Sequence, residues 1–594
     1  MSLTRYRGKR LAVRFLTYDL EWYPHTFEER LVGVFDGKRY RSYPTTLEFL
    51  RNELTKKNRG KIFFAHAGGL ADAQFILKEF IKRQNPGYKL TATFSGSSAV
   101  IIRISNGRNS WTFCDSLWLL KAGLSKIGRS LGLEKGGADY FCSNFPNCSH
   151  PLKKDGGPSC IFYSPIPILR DYNALDCRIL YTAIMRLQDE LLALGGLLMP
   201  TIASSALMLF RCAFLERDID TDHRLNEKMR ESYIASRVEV IQAECGEADY
   251  YDINSSFPFS MTEKLPAAFL GESKTWDEHR PTDIIKATVT IPKMHIPPIP
   301  VRIQTKGYRR VFFPTGTFTR WMTTPDVRMV LNSGGTIERI HKVYRFDEFH
   351  EMGNYVQAVY EMRRRTDDPF SRIVYKLLMN SLYGKFGESS DKQKVLINPK
   401  RKPKNATPGL IKGVWFVDEV VNVAHAHVPI AAHITANSRG LITEYLQESD
   451  NAYYCDTDSI VTTSSFETGD KLGELKHEKH IESGTFLAPK LYRLFPGPEI
   501  RAKGFPKLSD DEFSRLKEGG SVEVERMIRI RENLRLGITQ PREEKTRKRT
   551  LSHLPQDRLR ELGVPERLAL RPKRAPEKGG STRAWDVGEL EEDS

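Results

Sequence analysis

Two hydrophobic patterns alternate over the first 195 residues of the chain. Apolar runs bounded by turn residues predict four strands, at 11–19, 61–65, 99–104 and 111–114. Apolar positions three and four residues apart predict helices over 71–82 and 168–194, the second ending before a Gly-Gly pair. Strands and helices that alternate in this way indicate an α/β domain over residues 1–195.

Beyond residue 195 the hydrophobic pattern is less regular. It predicts a strand around 250–253, a helix over 370–385 and a hairpin over 452–463. The stretch 391–408 is rich in Lys, Arg and Pro, which indicates an exposed basic loop or ribbon. Residues 546–594 are similarly basic and end in acidic positions, so we expect a loosely packed or disordered tail there.

Composition narrows the class of protein. The chain has 594 residues, of which 40% are hydrophobic, so it can bury a core and is not disordered throughout. No apolar run approaches the roughly 20 residues of a membrane-spanning helix, and eight scattered cysteines suit a reducing compartment. We therefore expect a cytoplasmic protein with no membrane contact. A formal charge of +16 favours a polyanionic partner, and nucleic acid above all.

Two carboxylates lie at the tip of the predicted hairpin. Asp456 and Asp458 are two residues apart, and such positions share a face in extended chain. Like charges at this spacing repel one another unless a divalent cation lies beside them, and Mg²⁺ takes such oxygen ligands together with substrate phosphates. The alternative is an Asp-Thr-Asp turn whose charges are simply solvated.

A third carboxylate ends another predicted strand. Asp252 follows two tyrosines and precedes a turn. Beside Asp456 and Asp458 it would complete a two-metal cluster for phosphoryl transfer. Alone, it could equally be a residue that forms a turn.

The predicted helix over 370–385 has one polar face. At about 100° per residue, this face contains Arg372, Lys376, Asn380 and Tyr383. Two cations, an amide and a phenol are what the phosphates and base of a nucleotide require. The alternative is an ordinary solvated basic face.

These three segments, 252–258, 376–384 and 454–459, resemble motifs A, B and C of family B DNA polymerases, in the family's order. The resemblance implies a right-hand polymerase fold of palm, fingers and thumb, acting on primer-template DNA and dNTPs. It makes Asp252 and Asp458 ligands of two catalytic Mg²⁺ ions, with Mn²⁺ as an alternative ion and Asp456 as a supporting carboxylate.

The same resemblance assigns the nucleotide and DNA contacts. Lys376 would contact the incoming triphosphate with Arg372 nearby, while Asn380 and Tyr383 would line the nucleotide pocket. Phe257 would lie beneath the deoxyribose and exclude a 2′-hydroxyl. Lys490 and Tyr492 resemble the K-x-Y element that steadies the primer end, and Lys503 with Gly504 would extend that contact.

The N-terminal region resembles the family's 3′–5′ exonuclease, an RNase H-like domain with two further Mg²⁺ ions. Its acidic motifs correspond to Asp19 and Glu21, to Asp72, and to Tyr172 with Asp176. Ser116 and Leu117 resemble a motif that contacts single-stranded DNA. The second motif departs from the family, because Ala67 and Ala71 stand where an Asn and an aromatic residue are usual.

The compact layout resembles the protein-primed branch found in bacteriophages, adenoviruses and linear plasmids, which implies a terminal protein as primer. Tyr233 stands where that branch has its Tyr-x-Gly-Gly/Ala linker, although Ala235 and Ser236 replace the glycine pair. The fold class expected is α/β and α+β multidomain, and the chain a monomer. The expected parts are exonuclease 1–195, linker and first palm segment 196–261, terminal-protein-contacting insertion 262–356, fingers 357–387, template-encircling basic ribbon 388–420, palm 421–485, thumb 486–545 and tail 546–594.

Other interpretations remain open at this point. The chain could be a catalytically silent or exonuclease-only protein that descends from a polymerase and binds nucleic acid. Cys142, Cys148, His150 and Cys160 could bind Zn²⁺, but they lack paired C-x-x-C knuckles, so the sequence does not favour a Zn²⁺ site.

Overall fold

The structure is a computed structural model. It describes residues 2–23, 26–83, 87–95, 98–135, 161–305, 308–421, 423–497, 500–503, 505, 508–527, 530–539, 543–549, 551, 572–577 and 581–591. Cys142, Cys148, His150, Cys160 and Gly504 lie outside the described residues. Within these ranges, no helix combines the length and the apolar character that crossing a bilayer requires.

A mixed sheet, here called the N-terminal sheet, has ten strands within the described part of the chain. Three parallel strands, Phe15–Trp22, Ile62–Ala65 and Ser110–Asp115, form its centre. Their largely apolar sequences are buried on both faces, as parallel strands require. From one edge the order is Ala406–Pro408, Val414–Val420, Asp391–Ile397, Lys89–Ser95, Ser98–Ser105, Ser110–Asp115, Ile62–Ala65, Phe15–Trp22, Glu29–Phe35 and Tyr40–Tyr43.

Helices cover this sheet much as the apolar spacing predicts. The helix expected over 71–82 is Asp72–Arg83, and that expected over 168–194 is Ile166–Ala193. The strand expected from residue 11 begins only at Phe15, because Val13 donates its backbone N–H to the Gln188 side chain rather than to a strand. Thr46–Glu53 and Leu124–Ser130 are further helices here.

The stretch expected to be an exposed basic ribbon is partly a strand of the N-terminal sheet. Asp391–Ile397 pairs antiparallel with Lys89–Ser95 on one side and with Val414–Val420 on the other. Val395 and Ile397 are buried in the same core as Leu90. The charge count of this stretch concealed these apolar residues, so the prediction of a loop was wrong for 391–397.

A second sheet, the central sheet, is antiparallel. Its strand order is Val238–Val240, Ala452–Asp456, Ser459–Thr462, Ala248–Ile253 and Leu475–Ile481, and it contains the predicted hairpin. Glu244–Cys245, Ser483–Ala488, Leu491–Phe495 and Ile500–Ala502 form a four-stranded sheet beside it. The helix Val428–Glu448 is almost wholly buried and supports the hairpin.

Segment 262–356 forms a sheet of its own. The strand order is Leu265–Ser273, Thr336–Phe349, Ile284–Ile291 and Gly316–Thr323. The segment also contains the helix Thr324–Asn332 and a hairpin of Val301–Thr305 with Tyr308–Phe312. A fully buried ion pair attaches this segment to Val428–Glu448, since Arg439 Nη2 lies 2.5 Å from Asp326 Oδ1.

The N-terminal region shares a core with the helices that follow it. Ile184 and Leu187 lie in one apolar cluster with Tyr355 and Val374. Other helices are Ile202–Leu209 with a π-helical turn at Phe210–Phe214, His223–Met229, Ser256–Ser260, Glu351–Arg365, Pro369–Ser381, Tyr383–Phe386, Asp510–Lys517, Ile530–Arg535 and Val587–Glu591. The remaining pairs of strands are Ser2–Leu3 with Ile219–Asp220, Val522–Met527 with Glu543–Arg549, and Ala575–Pro576 with Thr582–Arg583 among the described residues.

The described end of the chain is packed rather than loose. Arg574 and Leu590 are only 2% and 1% exposed, and Val587 lies in the core of segment 262–356. The expectation of a loosely packed tail is therefore wrong for 572–577 and 581–591. A few apolar residues suffice here because they close a core that other segments have already formed.

We predict that Asp326→Ala destabilises the fold by about 3–5 kcal/mol, because it leaves the Arg439 charge buried without its partner. The thermal unfolding midpoint measures this loss. Asp347→Ala is the matched control, since its ion pair with Arg217 is exposed and should contribute no more than about 1 kcal/mol. Arg439 Nη1 also donates to the carbonyls of Ile234 and Thr435. Equal midpoints for the two variants would mean that these carbonyls are sufficient to stabilise the buried charge.

Candidate active sites

The three predicted polymerase carboxylates meet at one end of the central sheet. Asp252 is the residue opposite Ser459, and Ser459 also pairs with Asp456 across the hairpin. The backbone N–H of Ile253 donates to the carbonyl of Asp458 over 2.7 Å. The sheet register therefore brings together residues that are two hundred positions apart in the sequence.

Asp252 and Asp458 have strongly perturbed acidities. Burial and the Asp458 carboxylate raise the pKa of Asp252 to about 7. Burial and the Asp456 carboxylate raise the pKa of Asp458 to about 6. The positive charge of Lys376 opposes both shifts. Repulsion of this kind is relieved by a divalent cation, so the donor set fits Mg²⁺.

Asp456 is held in a different way. Its Oδ1 accepts a hydrogen bond from Lys490 Nζ, and the Thr457 hydroxyl donates to the same oxygen. The backbone N–H of Lys490 donates to the Tyr454 hydroxyl, and that of Lys503 donates to the carbonyl of Lys490. The predicted K-x-Y element thus lies against the carboxylates.

The turn between the acids is fixed by the segment that precedes the central sheet. Thr457 has a φ of +70°, a left-handed conformation that is uncommon for a β-branched residue. Its N–H donates to the carbonyl of Arg237 over 2.8 Å, and its carbonyl accepts from the Ser236 hydroxyl over 2.9 Å. Both bonds hold the turn in this strained geometry.

The motif B helix, Pro369–Ser381, has the two faces that its sequence predicts. Arg372, Lys376 and Asn380 are exposed on one face, while Val374 and Leu378 are buried on the other. The helix ends at Ser381 rather than continuing to residue 385, and Tyr383 begins a separate short turn.

The start of this helix is attached to the N-terminal region. Glu190 accepts hydrogen bonds from the Ser371 hydroxyl over 2.5 Å and from the Tyr375 hydroxyl. Arg186 forms an ion pair with Asp368, the N-cap of the helix, over 2.9 Å. Glu190 and Arg186 lie on the same helix, Ile166–Ala193, as Tyr172 and Asp176.

Two cavities adjoin the carboxylates. One, of about 450 Å³, is lined by Phe257, Tyr383 and Tyr233, and the rings of Phe257 and Tyr383 stack at 4.6 Å. The other, of about 500 Å³, is lined by Asp252 and Tyr492. Asp252 thus shares a cavity with the predicted primer residue Tyr492, whereas the predicted nucleotide-pocket rings of Phe257 and Tyr383 line a separate cavity.

A second acidic site lies in the N-terminal region. Asp19 and Glu21 are on the central strand Phe15–Trp22, Asp72 begins the helix Asp72–Arg83, and Tyr172 and Asp176 share the helix Ile166–Ala193. Burial and the neighbouring carboxylates raise the pKa of Asp19 far above its ordinary value. Burial and the Asp176 charge raise the pKa of Glu21 to about 7.

Two residues of this site were not predicted from the sequence. The Asn173 amide donates to Asp19 Oδ2 over 3.1 Å and to Glu21 Oε1 over 3.2 Å. Lys135 Nζ lies 2.8 Å from Asp176 Oδ2 and above the Tyr172 ring. Asn173 could have been found from the sequence, because it lies between Tyr172 and Asp176 on the same predicted helix. Nothing in the sequence around Lys135 indicated that it would pair with Asp176.

The N-terminal acids also fit divalent cations. Asp72 Oδ1 and Asp176 Oδ1 are buried without a hydrogen-bond partner, as they would be if they ligated an ion. In the described part of the chain, no three His, Cys, Asp or Glu side chains form a complete metal cage. Mg²⁺ needs no such cage, because it retains waters and takes substrate phosphates as ligands.

The expected DNA contact of Ser116 is not supported. Its side chain is fully buried, and its hydroxyl lies between the carbonyl of Ala65 and the ring of His66. Ser116 therefore positions the loop in this structure, whereas Leu117 is half-buried. Ala67, in the loop that follows the strand Ile62–Ala65, has a φ of +56°.

Comparison with known proteins agrees with this geometry. A family model described as DNA polymerase type B, organellar and viral, matches residues 163–467. A probable DNA polymerase of Ascobolus immersus is 28% identical over 506 residues, covering 74% of this chain and 41% of that protein. The DNA polymerase of Streptococcus phage Cp-1 is 24% identical over 265 residues, covering 41% of this chain and 45% of that protein. The chain thus spans less than half the length of these relatives.

The fold also matches a solved structure over nearly its whole length. Phi29 DNA polymerase, complexed with primer-template DNA and incoming nucleotide substrates, superposes with a TM-score of 0.67 at 17% identity. The match covers 90% of this chain and 100% of that one. The multidomain architecture expected from the motifs, an N-terminal α/β domain followed by a right-hand polymerase, is confirmed at the level of fold. Since the family model spans more than half of the residues and includes the three segments 252–258, 376–384 and 454–459, the chain belongs to the organellar and viral type B DNA polymerases.

Proposed function

We propose that the chain is a template-directed DNA polymerase that adds dNMP to a primer 3′-hydroxyl. The observation that carries the proposal is the meeting of Asp252 with Asp458 at one sheet end, facing the cationic side chain of Lys376. A silent descendant would have no reason to retain half-buried acids whose repulsion destabilises the fold.

Each part of the site has a role in this reaction. Asp252 and Asp458 would hold two Mg²⁺ ions, which when bound activate the 3′-hydroxyl and neutralise the triphosphate. Lys376 would bind the triphosphate, with Arg372 one turn away on the same face. Lys490 would keep Asp456 oriented while Tyr492 lines the primer side.

The nucleotide pocket would lie between motif A and motif B. The rings of Phe257 and Tyr383 stack on one another, and an incoming deoxyribose and base would lie against these two rings. Asn380 is exposed on the same side of the motif B helix as Lys376. Tyr233 lines the same cavity and would contact the template or primer strand.

The N-terminal site supports a proofreading 3′–5′ exonuclease. Asp19, Glu21, Asp72 and Asp176 would hold two further ions, and Tyr172 would orient the attacking water. Lys135 and Asn173 would keep the acids oriented against their mutual repulsion.

The domain assignment and the partners are further parts of the proposal. Segment 262–356 folds as its own sheet, which supports a separate role such as contact with a terminal protein. If a protein hydroxyl primes synthesis, the reaction would use the same carboxylates, Asp252 and Asp458. Transfer of labelled dNMP to a candidate terminal protein should therefore be lost in the Asp252→Ala and Asp458→Ala variants described next. The monomeric state and the cytoplasmic location remain predictions.

We predict that Asp252→Ala and Asp458→Ala each lower primer extension with Mg²⁺ and dNTPs by more than about a hundredfold, equivalent to roughly 2.7 kcal/mol of barrier. DNA affinity should be unchanged or higher, because a negative charge facing phosphate is removed. Asp249→Ala is the matched control, since this carboxylate lies on the same strand but pairs with His477 and His480. A variant at position 252 or 458 that retains a tenth of the activity would refute the two-metal assignment.

Phe257→Val should weaken discrimination against ribonucleotides by roughly ten- to a hundredfold, because the smaller side chain leaves room for a 2′-hydroxyl. The ratio of kcat/KM for rNTP and dNTP measures this change. Phe259→Val, two positions further along the same short helix, should leave the ratio unchanged. An unaltered ratio in Phe257→Val would remove this ring from the sugar site.

Asp19→Ala should abolish Mg²⁺-dependent 3′–5′ degradation while primer extension continues. Asp171→Ala, an exposed acid on the helix of Asp176, should degrade DNA like the wild type. Ala67→Asn should tighten binding of single-stranded DNA with little change in the saturated rate, because it restores an amide that would hold the strand end. Asn also accepts the positive φ of this position more readily than Ala. No degradation by the wild type at saturating single-stranded DNA would mean that the domain is a structural remnant.

A further inference from the structure

The segment 572–591, here called the C-terminal strap, lies outside the residues that the family model matches. In its described parts it crosses the edge of the central sheet. Lys573 Nζ donates to the carbonyl of Val238 over 2.8 Å, and the Thr582 hydroxyl donates to the carbonyl of Ile241 over 2.6 Å. Ser581 forms a β-bridge with Gln242. The strap therefore covers an edge strand that would otherwise expose unpaired carbonyls.

The covered strand, Val238–Val240, directly adjoins the catalytic hairpin. Val238 pairs with Asp456 and Glu239 pairs with Cys455. The preceding residue, Arg237, accepts the N–H of Thr457 with its carbonyl. Any shift of this strand would consequently move the turn that contains Asp456 and Asp458.

A buried charge cluster lies between the strap and this strand. Arg237 and Glu239 are 0% and 1% exposed and form an ion pair of 2.6 Å. Although burial would raise it, the charges of Arg237, Arg574 and Lys573 hold the pKa of Glu239 below its ordinary value. Arg574 is itself 2% exposed, with its Nε bonded to Thr582 Oγ1 over 2.7 Å and its Nη2 to the carbonyl of His295 over 2.8 Å.

The strap has a second anchor on segment 262–356. The backbone N–H of Thr315 donates to the carbonyl of Trp585, and that of Val587 donates to the carbonyl of Thr315, both over 2.9 Å. Val587 and Leu590 are buried there. Anchored at both ends, the strap can transmit the position of segment 262–356 to the edge of the central sheet.

We propose that Arg574, through the C-terminal strap, is a positioning residue for the polymerase carboxylates. It acts through Thr582, whose hydroxyl it bonds and which donates in turn to the carbonyl of Ile241. This contact fixes the end of the strand Val238–Val240, and the preceding residue, Arg237, bonds the Asp456–Asp458 turn. At 2% exposure, its side chain is withdrawn from the surface where a basic tail would bind DNA phosphates. This inference rests on the proposed polymerase function.

The test compares full-length variants of the strap. Arg574→Met removes the charge, Arg574→Lys keeps it, and Thr582→Val is a milder change that removes two hydrogen bonds. Arg583→Ala is the matched control, because Arg583 pairs with Glu589 at the surface of the same segment. For primer extension, the measurements are kcat, KM and the Mg²⁺ concentration that gives the half-maximal rate. DNA affinity is measured as a function of salt concentration, and the N-terminal site is assayed by the rate at which it degrades single-stranded DNA.

We expect Arg574→Met to lower kcat by roughly ten- to a hundredfold and to raise the Mg²⁺ requirement, since small misplacements of reacting groups cost about this much. Thr582→Val should show a smaller change in the same direction. DNA affinity, its salt dependence and single-strand degradation should stay unchanged. Arg574→Lys should recover most of kcat, and Arg583→Ala should match the wild type.

Several outcomes would overturn the proposal. Unchanged extension by Arg574→Met would do so, as would equal losses of extension and degradation, which indicate general unfolding. A reduced salt dependence of DNA binding would show that Arg574 contacts phosphate instead. Hydrogen exchange at the Thr457 amide separates this inference from the proposed function. Exchange should be faster in Arg574→Met than in the wild type, even if the wild type extends no primer. Unaltered exchange would refute the positioning role of Arg574.

Discussion

Like-charged carboxylates are held close together at two places in this molecule, half-buried in the central sheet and largely buried in the N-terminal region, and much of the surrounding structure resists their repulsion. Asp252 and Asp458 reach their positions because the strand register of the central sheet leaves them no alternative. In the N-terminal site the Asn173 amide bridges Asp19 and Glu21. Such an arrangement costs stability in the free protein, and it becomes favourable only when cations are bound.

The two sites are connected through one helix. Ile166–Ala193 carries Tyr172 and Asp176 near its beginning and contacts the motif B helix through Glu190 near its end. A rotation of the motif B helix would therefore act on the element that contains N-terminal acids. The shared apolar core around Leu187 and Val374 makes these helices one packed unit rather than two domains on a linker.

Local sequence was sufficient wherever the chemistry lies within one element. The polar face of Lys376 and Asn380 and the helix of Asp176 could be predicted, because periodicity fixes which side chains share a face. The extended-chain spacing expected of Asp456 and Asp458 does not hold, since Thr457 turns the chain with a φ of +70°. Contacts between distant segments could not. Lys135 meets Asp176, and Arg574 meets the carbonyl of His295, only after the chain has folded, and no periodic pattern records such pairs.

The errors have a common physical origin in composition. Charge counts made 391–408 and the end of the chain resemble solvated segments, yet Val395, Ile397 and Val587 are buried. A few apolar residues among many charges are enough when a neighbouring sheet edge or core is already present. Average composition therefore misjudges segments that complete a structure built by others.

The strand Asp391–Ile397 has a consequence for how the protein is made. The N-terminal sheet ends at Lys89–Ser95 until this much later strand pairs with it. During synthesis the growing chain would present an open edge with unpaired N–H and C=O groups, a template for pairing with another chain. The N-terminal sheet thus cannot be completed until residues 391–397 have been synthesised, about 300 positions after the strand with which they pair.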